Sequence, residues 1–275
     1  MKVVVAENAG FCFGVKRAIA LTHEVIKRKQ QAVYSLGPLI HNPQVVENLQ
    51  QKGVRVVETI DGIERGIVVI RSHGVPPQIL KKAEQKGLEI VDATCPFVKD
   101  SQNFVKMLDD EGYKVIIVGD RDHPEVRGLL GYAKEAEVVN GAGEVKRIRG
   151  KRIGLVSQTT QPTSKLISVA NMVLEKVEEL RVFNTVCSAT IGRQEGAKKL
   201  AKDIDAMVII GGYNSGNTRR LYEICRSICS HSHHIERVEE IKPEWFNGCK
   251  IVGITAGAST PNYVIKEVRK ALENM

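Results

Sequence analysis

The chain has 275 residues, of which 43% are hydrophobic and 5% aromatic, and 40 basic against 32 acidic side chains leave a net charge of +8. That length supplies a substantial core without disulfides, and the longest apolar runs, such as residues 115–119, fall far short of the ~18 residues a membrane-spanning helix needs. Six cysteines without a tight, even framework, and a start that runs straight into a short strand, exclude a secreted disulfide scaffold and predict a cytoplasmic protein. The positive balance favours anionic partners. Its basic residues are scattered along helices without interleaved aromatics, so neither a nucleic-acid nor a membrane partner is expected.

In chain order, short β-branched runs alternate with amphipathic stretches. A strand at 2–6 precedes the helical stretch VKRAIALTHEVIKRK at 15–29, and strands follow near 32–36, 53–57 and 67–71. The helical stretch PPQILKKAEQKG (76–87) leads to a strand near 88–91, and a strand near 113–118 leads to the helical stretch PEVRGLLGYA (124–133). Further strands lie near 136–140, 152–156, 180–183, 205–210, 233–236 and 250–254. Such a rhythm predicts an α/β protein built on parallel sheets.

Three cysteines at strand-to-helix turns align with one another: AGFCFGVKRA at Cys12, DATCPFVKDS at Cys95 and NTVCSATIGRQ at Cys187, separated by 83 and 92 residues. His41 stands 29 residues after Cys12, His123 stands 28 after Cys95 and Ser215 stands 28 after Cys187, each in a polar loop that follows a strand. A second, looser set places His73, Thr159 and Ser259 at 61, 64 and 72 residues after the same cysteines. Spans 14–96 and 97–188 each offer about four strands, whereas 189–275 offers three and needs the strand in 1–13 to complete it. The expected fold is therefore three pseudosymmetric small α/β domains, each a roughly four-stranded, mostly parallel sheet with helices, arranged as a trefoil. Their boundaries are 14–96, 97–188, and 189–275 plus 1–13.

Ligands of parallel sheets gather beyond the carboxyl ends of the strands. Several of these loops carry a proline where a helix begins, at Pro43, Pro76, Pro96, Pro124, Pro162 and Pro261. The loops thus set His, Ser, Thr and Asn beside helix N-termini, where free N–H groups and the helix dipole favour anions. Three thiolates, one from each unit, can serve zinc with a fourth ligand or a [4Fe–4S] cluster with one iron left open, and three buried structural thiols are the remaining reading. Glu125, in the first turn of its helix, complements the dipole there, and burial beside an anionic substrate would raise its pKa and make it a proton donor that Thr159 relays or orients. Cys225 and Cys229, one turn apart and followed by His231, His233 and His234, read as core thiols beside a polar loop, with a zinc site as the alternative. Cys249 reads as the start of a strand, and His23 as a surface residue.

The stretches GFCFGVKRA, LGPLIHNPQVV, RSHGVPP, DATCPFV, HPEVRGLLGY, SQTTQ, RQE, NSGNTRRL and TAGASTP resemble the 4-hydroxy-3-methylbut-2-enyl diphosphate reductase family in order, from residue 10 to 261. The resemblance implies a [4Fe–4S] cluster on Cys12, Cys95 and Cys187, with one open iron. It implies a diphosphate held by His41, His73, His123, Ser215, Asn217 and Ser259, Glu125 as proton donor with Thr159 beside the substrate hydroxyl, and Thr160 or Thr190 lining the pocket. Where many members carry Ser-Ser-Asn this chain has Ser215-Gly216-Asn217, so the middle side-chain contact is either lost or supplied by the Gly216 backbone N–H. The implied reaction is reductive dehydroxylation to isopentenyl and dimethylallyl diphosphates, and the basic charge of the chain suits an acidic electron donor, a ferredoxin or flavodoxin. With no arginine in the implied anion site, one or more of its histidines is expected to be protonated. An iron–sulfur sensor without chemistry and a zinc hydrolase are the competing readings.

Overall fold

In the computed structural model, residues 1–28, 31–147 and 150–275 are described. They form twelve strands in three sheets, all parallel, each of four strands. The strands are β1 (Lys2–Val5), β2 (Val33–Leu36), β3 (Val54–Val57), β4 (Ile67–Ile70), β5 (Glu89–Asp92), β6 (Lys114–Val118), β7 (Ala136–Val139), β8 (Arg152–Ser157), β9 (Glu179–Val182), β10 (Ala206–Ile210), β11 (Ser232–Ile235) and β12 (Ile251–Ala256). Each falls within two residues of its expected place. The helices between them are α1 (Phe13–Arg28), α2 (Pro43–Gln51), α3 (Pro77–Gln85), α4 (Pro96–Asp110), α5 (Pro124–Leu130), α6 (Thr163–Leu174), α7 (Ser188–Ala201), α8 (Gly216–Ile228) and α9 (Asn262–Glu273). The last residue of the first helical stretch, Lys29, lies outside the described residues.

The chain divides into two compact units. One comprises residues 1–15, 41–47 and 188–275, and the other residues 16–40 and 48–187. The first holds the sheet β1-β12-β10-β11, and the second holds the sheets β3-β2-β4-β5 and β7-β6-β8-β9. The three orders are one order written three times: β1 occupies beside β12 the edge that β5 occupies beside β4 and β9 beside β8. The N-terminal strand therefore completes the sheet that the C-terminal span leaves one strand short.

Central strands are apolar on both faces because helices cover both faces, which is what crossover connections between parallel strands impose. In β6, Val115 and Ile117 pack with Val105 and Leu108 of α4 and Leu129 of α5, whereas Ile116 and Val118 point the other way onto Leu166, Val169 and Val173 of α6. The alternation is the two-residue period of a strand. In β10 the same division sends Met207 and Ile209 against Ala197, Leu221 and Cys225, and Val208 and Ile210 against Val264, Val268 and Leu272.

Two local expectations shift. Pro43, Pro96 and Pro124 are first helical residues, but Pro76, Pro162 and Pro261 stand one position earlier as the caps of α3, α6 and α9, with extended ψ of 147°, 140° and 150°. Proline's fixed φ suits both positions, so composition could not separate them. The stretch ending at Ala133 stops as a helix at Leu130, where Gly131 caps it. A Cβ on Gly131 would fall 2.6 Å from the Pro76 ring, so the helix end packs too closely for any side chain.

Candidate active site

The three aligned cysteines share one backbone device. The Cys12 N–H donates to the Ala258 carbonyl at 3.1 Å, the Cys95 N–H to Ser72 at 3.0 Å and the Cys187 N–H to Thr159 at 3.0 Å. Each acceptor lies two residues beyond the end of the neighbouring strand, β12, β4 or β8. So every cysteine loop is tied to the polar loop of the adjacent strand within its own sheet. All three cysteines are half-buried and precede helices, and Cys95 is itself the cap of α4. The Val15 N–H reaches the Cys12 sulfur at 3.5 Å, which places that sulfur as acceptor at the start of α1.

Each of the three thiols is half-buried, an exposure that suits iron–sulfur ligation. The other cysteines are used differently. Cys225 is fully buried in the core of its sheet and Cys229 caps the end of α8, its thiol facing the Asp205 carbonyl. Burial, with Cys229 nearby, pushes the Cys225 thiol up to about 12. His233 stacks on Trp245 at 4.1 Å and His234 Nε2 contacts the Gly211 carbonyl at 2.7 Å. Among the described residues these cysteines and histidines form no metal-holding group, so the core-thiol reading holds. His23 is half-buried on α1 rather than exposed.

In the second unit, Glu125 sits in the first turn of α5 and is 2% exposed. It faces a strand-end loop 34 residues away, where the Thr159 N–H donates to Oε1 at 2.6 Å and the Thr159 hydroxyl to Oε2 at 2.9 Å. Complete burial raises its pKa to about 7, against the pull of both Thr159 bonds, which favour the carboxylate. When the acid is protonated, the proton belongs on Oε2, since the backbone N–H holds Oε1 as an acceptor. The Thr159 hydroxyl can turn to accept that proton, which makes it an orienting group for proton transfer.

His123 caps α5, its Nδ1 accepting the Glu125 N–H at 3.2 Å. That bond assigns the proton of the ring to Nε2 and leaves Nδ1 unprotonated. The His73 and His123 rings meet edge to face, 5.4 Å between centroids. Thr160 accepts from Gln158 Nε2 at 3.0 Å.

The first unit carries the remaining residues. Ser215 caps α8 and accepts the Thr218 N–H at 3.3 Å, Gly216 is the first helical residue, and Asn217 is buried just after it. Both side-chain polar atoms of Asn217 lack a hydrogen-bond partner among the described residues. A buried amide without partners is costly unless a ligand supplies them. Ser259 donates to the His41 carbonyl at 2.9 Å, and a Cβ on Gly212 would lie 2.7 Å from that same oxygen, so only glycine lets this loop approach His41. Thr190 is buried on α7.

Several supporting residues were not singled out in the sequence. Fully buried Gln158 accepts the Asp120 N–H at 3.0 Å and the Gln161 amide at 3.2 Å, bracing the loops that carry His123 and Thr159. Arg17 donates to the Thr94 carbonyl at 3.0 Å, directly before Cys95, and buried Arg193 donates to the Gly10 carbonyl at 2.6 Å, two residues before Cys12. An arginine five or six residues after a cysteine, in CFGVKR and CSATIGR, was the available signal.

The sequence model of the family described as LytB protein matches residues 3–273. A 4-hydroxy-3-methylbut-2-enyl diphosphate reductase of Geotalea daltonii is 50% identical, with 100% of this chain and 98% of that protein covered. The enzyme of the same name from Aquifex aeolicus is 46% identical, with coverages of 99% and 96%. Among solved structures, an (E)-4-hydroxy-3-methyl-but-2-enyl diphosphate reductase described as the terminal enzyme of the non-mevalonate pathway is 46% identical, with full coverage of both chains and a TM-score of 0.74. The Plasmodium falciparum reductase is 25% identical, covers 99% of this chain and 88% of that one, and has a TM-score of 0.94.

Proposed function

Since this chain belongs to the LytB protein family, we propose that it carries out the family's reductive dehydroxylation, converting 4-hydroxy-3-methylbut-2-enyl diphosphate to isopentenyl and dimethylallyl diphosphates. The allylic C–O bond breaks, two electrons and two protons enter, and the oxygen leaves as water. Cys12, Cys95 and Cys187 would hold a [4Fe–4S] cluster, which when bound supplies the electrons singly and a Lewis-acid iron.

The single observation that carries the reading is Glu125, a buried acid with a pKa of about 7 clamped by Thr159. A donor with that pKa is half protonated near neutrality, which is where general-acid catalysis is most effective. Glu125 Oε2 delivers the proton that lets the hydroxyl leave as water, while Thr159 fixes the carboxyl. His123 contributes its Nε2–H to the diphosphate, and His41, His73, Ser215, Asn217, Ser259 and the Gly216 N–H complete the anion site, with Thr160 lining the pocket. Support comes from the partnerless Asn217 amide and from Ser215 and Gly216 at the start of α8, where backbone N–H groups favour an anion. Binding energy from the diphosphate would fix the hydroxyl end of the substrate beside Glu125.

The electron donor in this reading is an acidic one-electron carrier, a ferredoxin or flavodoxin, attracted by the +8 charge. No helix among the described residues is long and apolar enough to cross a membrane, and the cysteine usage supports a cytoplasmic enzyme.

Anaerobic reconstitution with iron and sulfide, followed by turnover of the allylic diphosphate, tests the proposal. Loss of turnover in Glu125→Gln with the cluster retained is expected. Unchanged function in that variant would favour a sensor, and zinc without sulfide would favour a hydrolase.

A further inference from the structure

A cavity of about 990 Å³ opens in the second unit, lined by Ile26, Tyr34, Lys52, Arg55 and Arg65 among others. It lies at the amino ends of its sheet: Val33 begins β2, Arg55 is the second residue of β3, and Arg65 stands two residues before β4. His73 follows the carboxyl end of β4, so this cavity is at the opposite end of the strands, about 13 Å of β4 away at ~3.3 Å per residue. It plays no part in the chemistry described above.

Some basic side chains of the same unit find acids, as Arg28 finds Glu89 at 2.9 Å and Lys82 finds Asp61. Lys52, Arg55 and Arg65 form no ion pair among the described residues, and neither does nearby Lys27. Lys52 and Lys27 act on the same neighbour: burial first, then these two charges, holds His23 below its ordinary pKa. Arg55 is set over the Tyr34 ring, 6.0 Å from its centroid, an arrangement that orients the guanidinium before any ligand arrives.

We propose that this cavity is a second anion site, which takes a small polyphosphorylated molecule bridging Lys52, Arg55 and Arg65. Its volume lies at the upper end of the ~300–1,000 Å³ usual for small-molecule sites. Arginine forks match phosphate oxygens two at a time, and a multiply charged phosphate chain would neutralise three cations that the fold leaves unpaired. The concave shape favours a compact ligand over an extended acidic surface.

The test is calorimetric titration of inorganic triphosphate into the cluster-loaded full chain at physiological salt. It is run in parallel on Asn217→Ala, which weakens the proposed substrate site and leaves the cavity intact. Binding that persists in Asn217→Ala, at one event per chain there, is expected, and Lys52→Gln/Arg55→Gln should weaken it about tenfold or more, as removal of charge-assisted bonds does. The control Lys266→Gln/Lys270→Gln, two exposed cations of α9, removes the same charge and should leave binding unchanged. The single variant Lys52→Gln, at an exposed position, repeats the measurement if the double variant does not fold. No binding at millimolar triphosphate, an equal loss in the α9 control, or a loss confined to Asn217→Ala would overturn the proposal.

Discussion

Replacing Glu125 by glutamine tests both the chemistry and the electrostatics of the site. Glutamine keeps the shape, its Oε1 can still accept the Thr159 N–H, and the Thr159 hydroxyl can turn to accept from the new amide. Only the titration is lost. In the native chain the carboxyl's pKa rises from an ordinary 4.5 to about 7 on folding. At about 1.4 kcal/mol per pH unit, that rise corresponds to about 3 kcal/mol. The folded state binds the proton more tightly than the unfolded chain. Stability from this group is therefore complete below pH 4.5, declines as pH rises, and is gone above the folded pKa near 7. Denaturant melts of native and Glu125→Gln protein between pH 4 and 9 should therefore diverge. The native protein should lose about 3 kcal/mol more than the variant across that window. Turnover in the native enzyme should fall above about pH 7, because the acid form is the donor. Parallel stability profiles, or turnover that rises through pH 7, would refute the assignment of a buried, neutral acid at Glu125.

Other outcomes follow from the same geometry. Serine at Cys12, Cys95 or Cys187 should abolish iron and sulfide retention after anaerobic reconstitution, whereas Cys225→Ser should keep the cluster and lower stability by about 1–3 kcal/mol, since it places a hydroxyl in a closed core. Asn217→Ala should weaken diphosphate binding about tenfold with little change in melting temperature, because its amide has no partner within the described fold. His123→Asn should preserve the cap of α5 but lose the Nε2 donor, raising the substrate KM at unchanged stability. His123→Ala should lose the cap as well, at about 1 kcal/mol in a melt.

The strands were legible because central parallel strands are buried on both faces, which forces short, continuous, β-branched runs such as Val115–Val118. The three cysteine turns were legible because a repeated sheet order repeats its spacing, 83 and 92 residues apart. The helix starts were legible only to within one residue, since proline serves as cap at Pro162 and as first residue at Pro124. Gln158, Arg17 and Arg193 escaped because their partners, Asp120, Thr94 and Gly10, are brought close only by the folded sheets.

What the sequence by itself determined is the set of parallel strands, the turn at which each cysteine stands, and the choice of polar residues placed at helix starts, all consequences of local pattern and chain connectivity. Only the tertiary structure decided the protonation of the site. Glu125 has a pKa near 7 because α5 and the loop after β8 close over it, and His123 keeps an unprotonated Nδ1 because it caps its own helix. A proton's affinity depends on what surrounds it in space, and that surrounding is assembled from residues far apart in the chain.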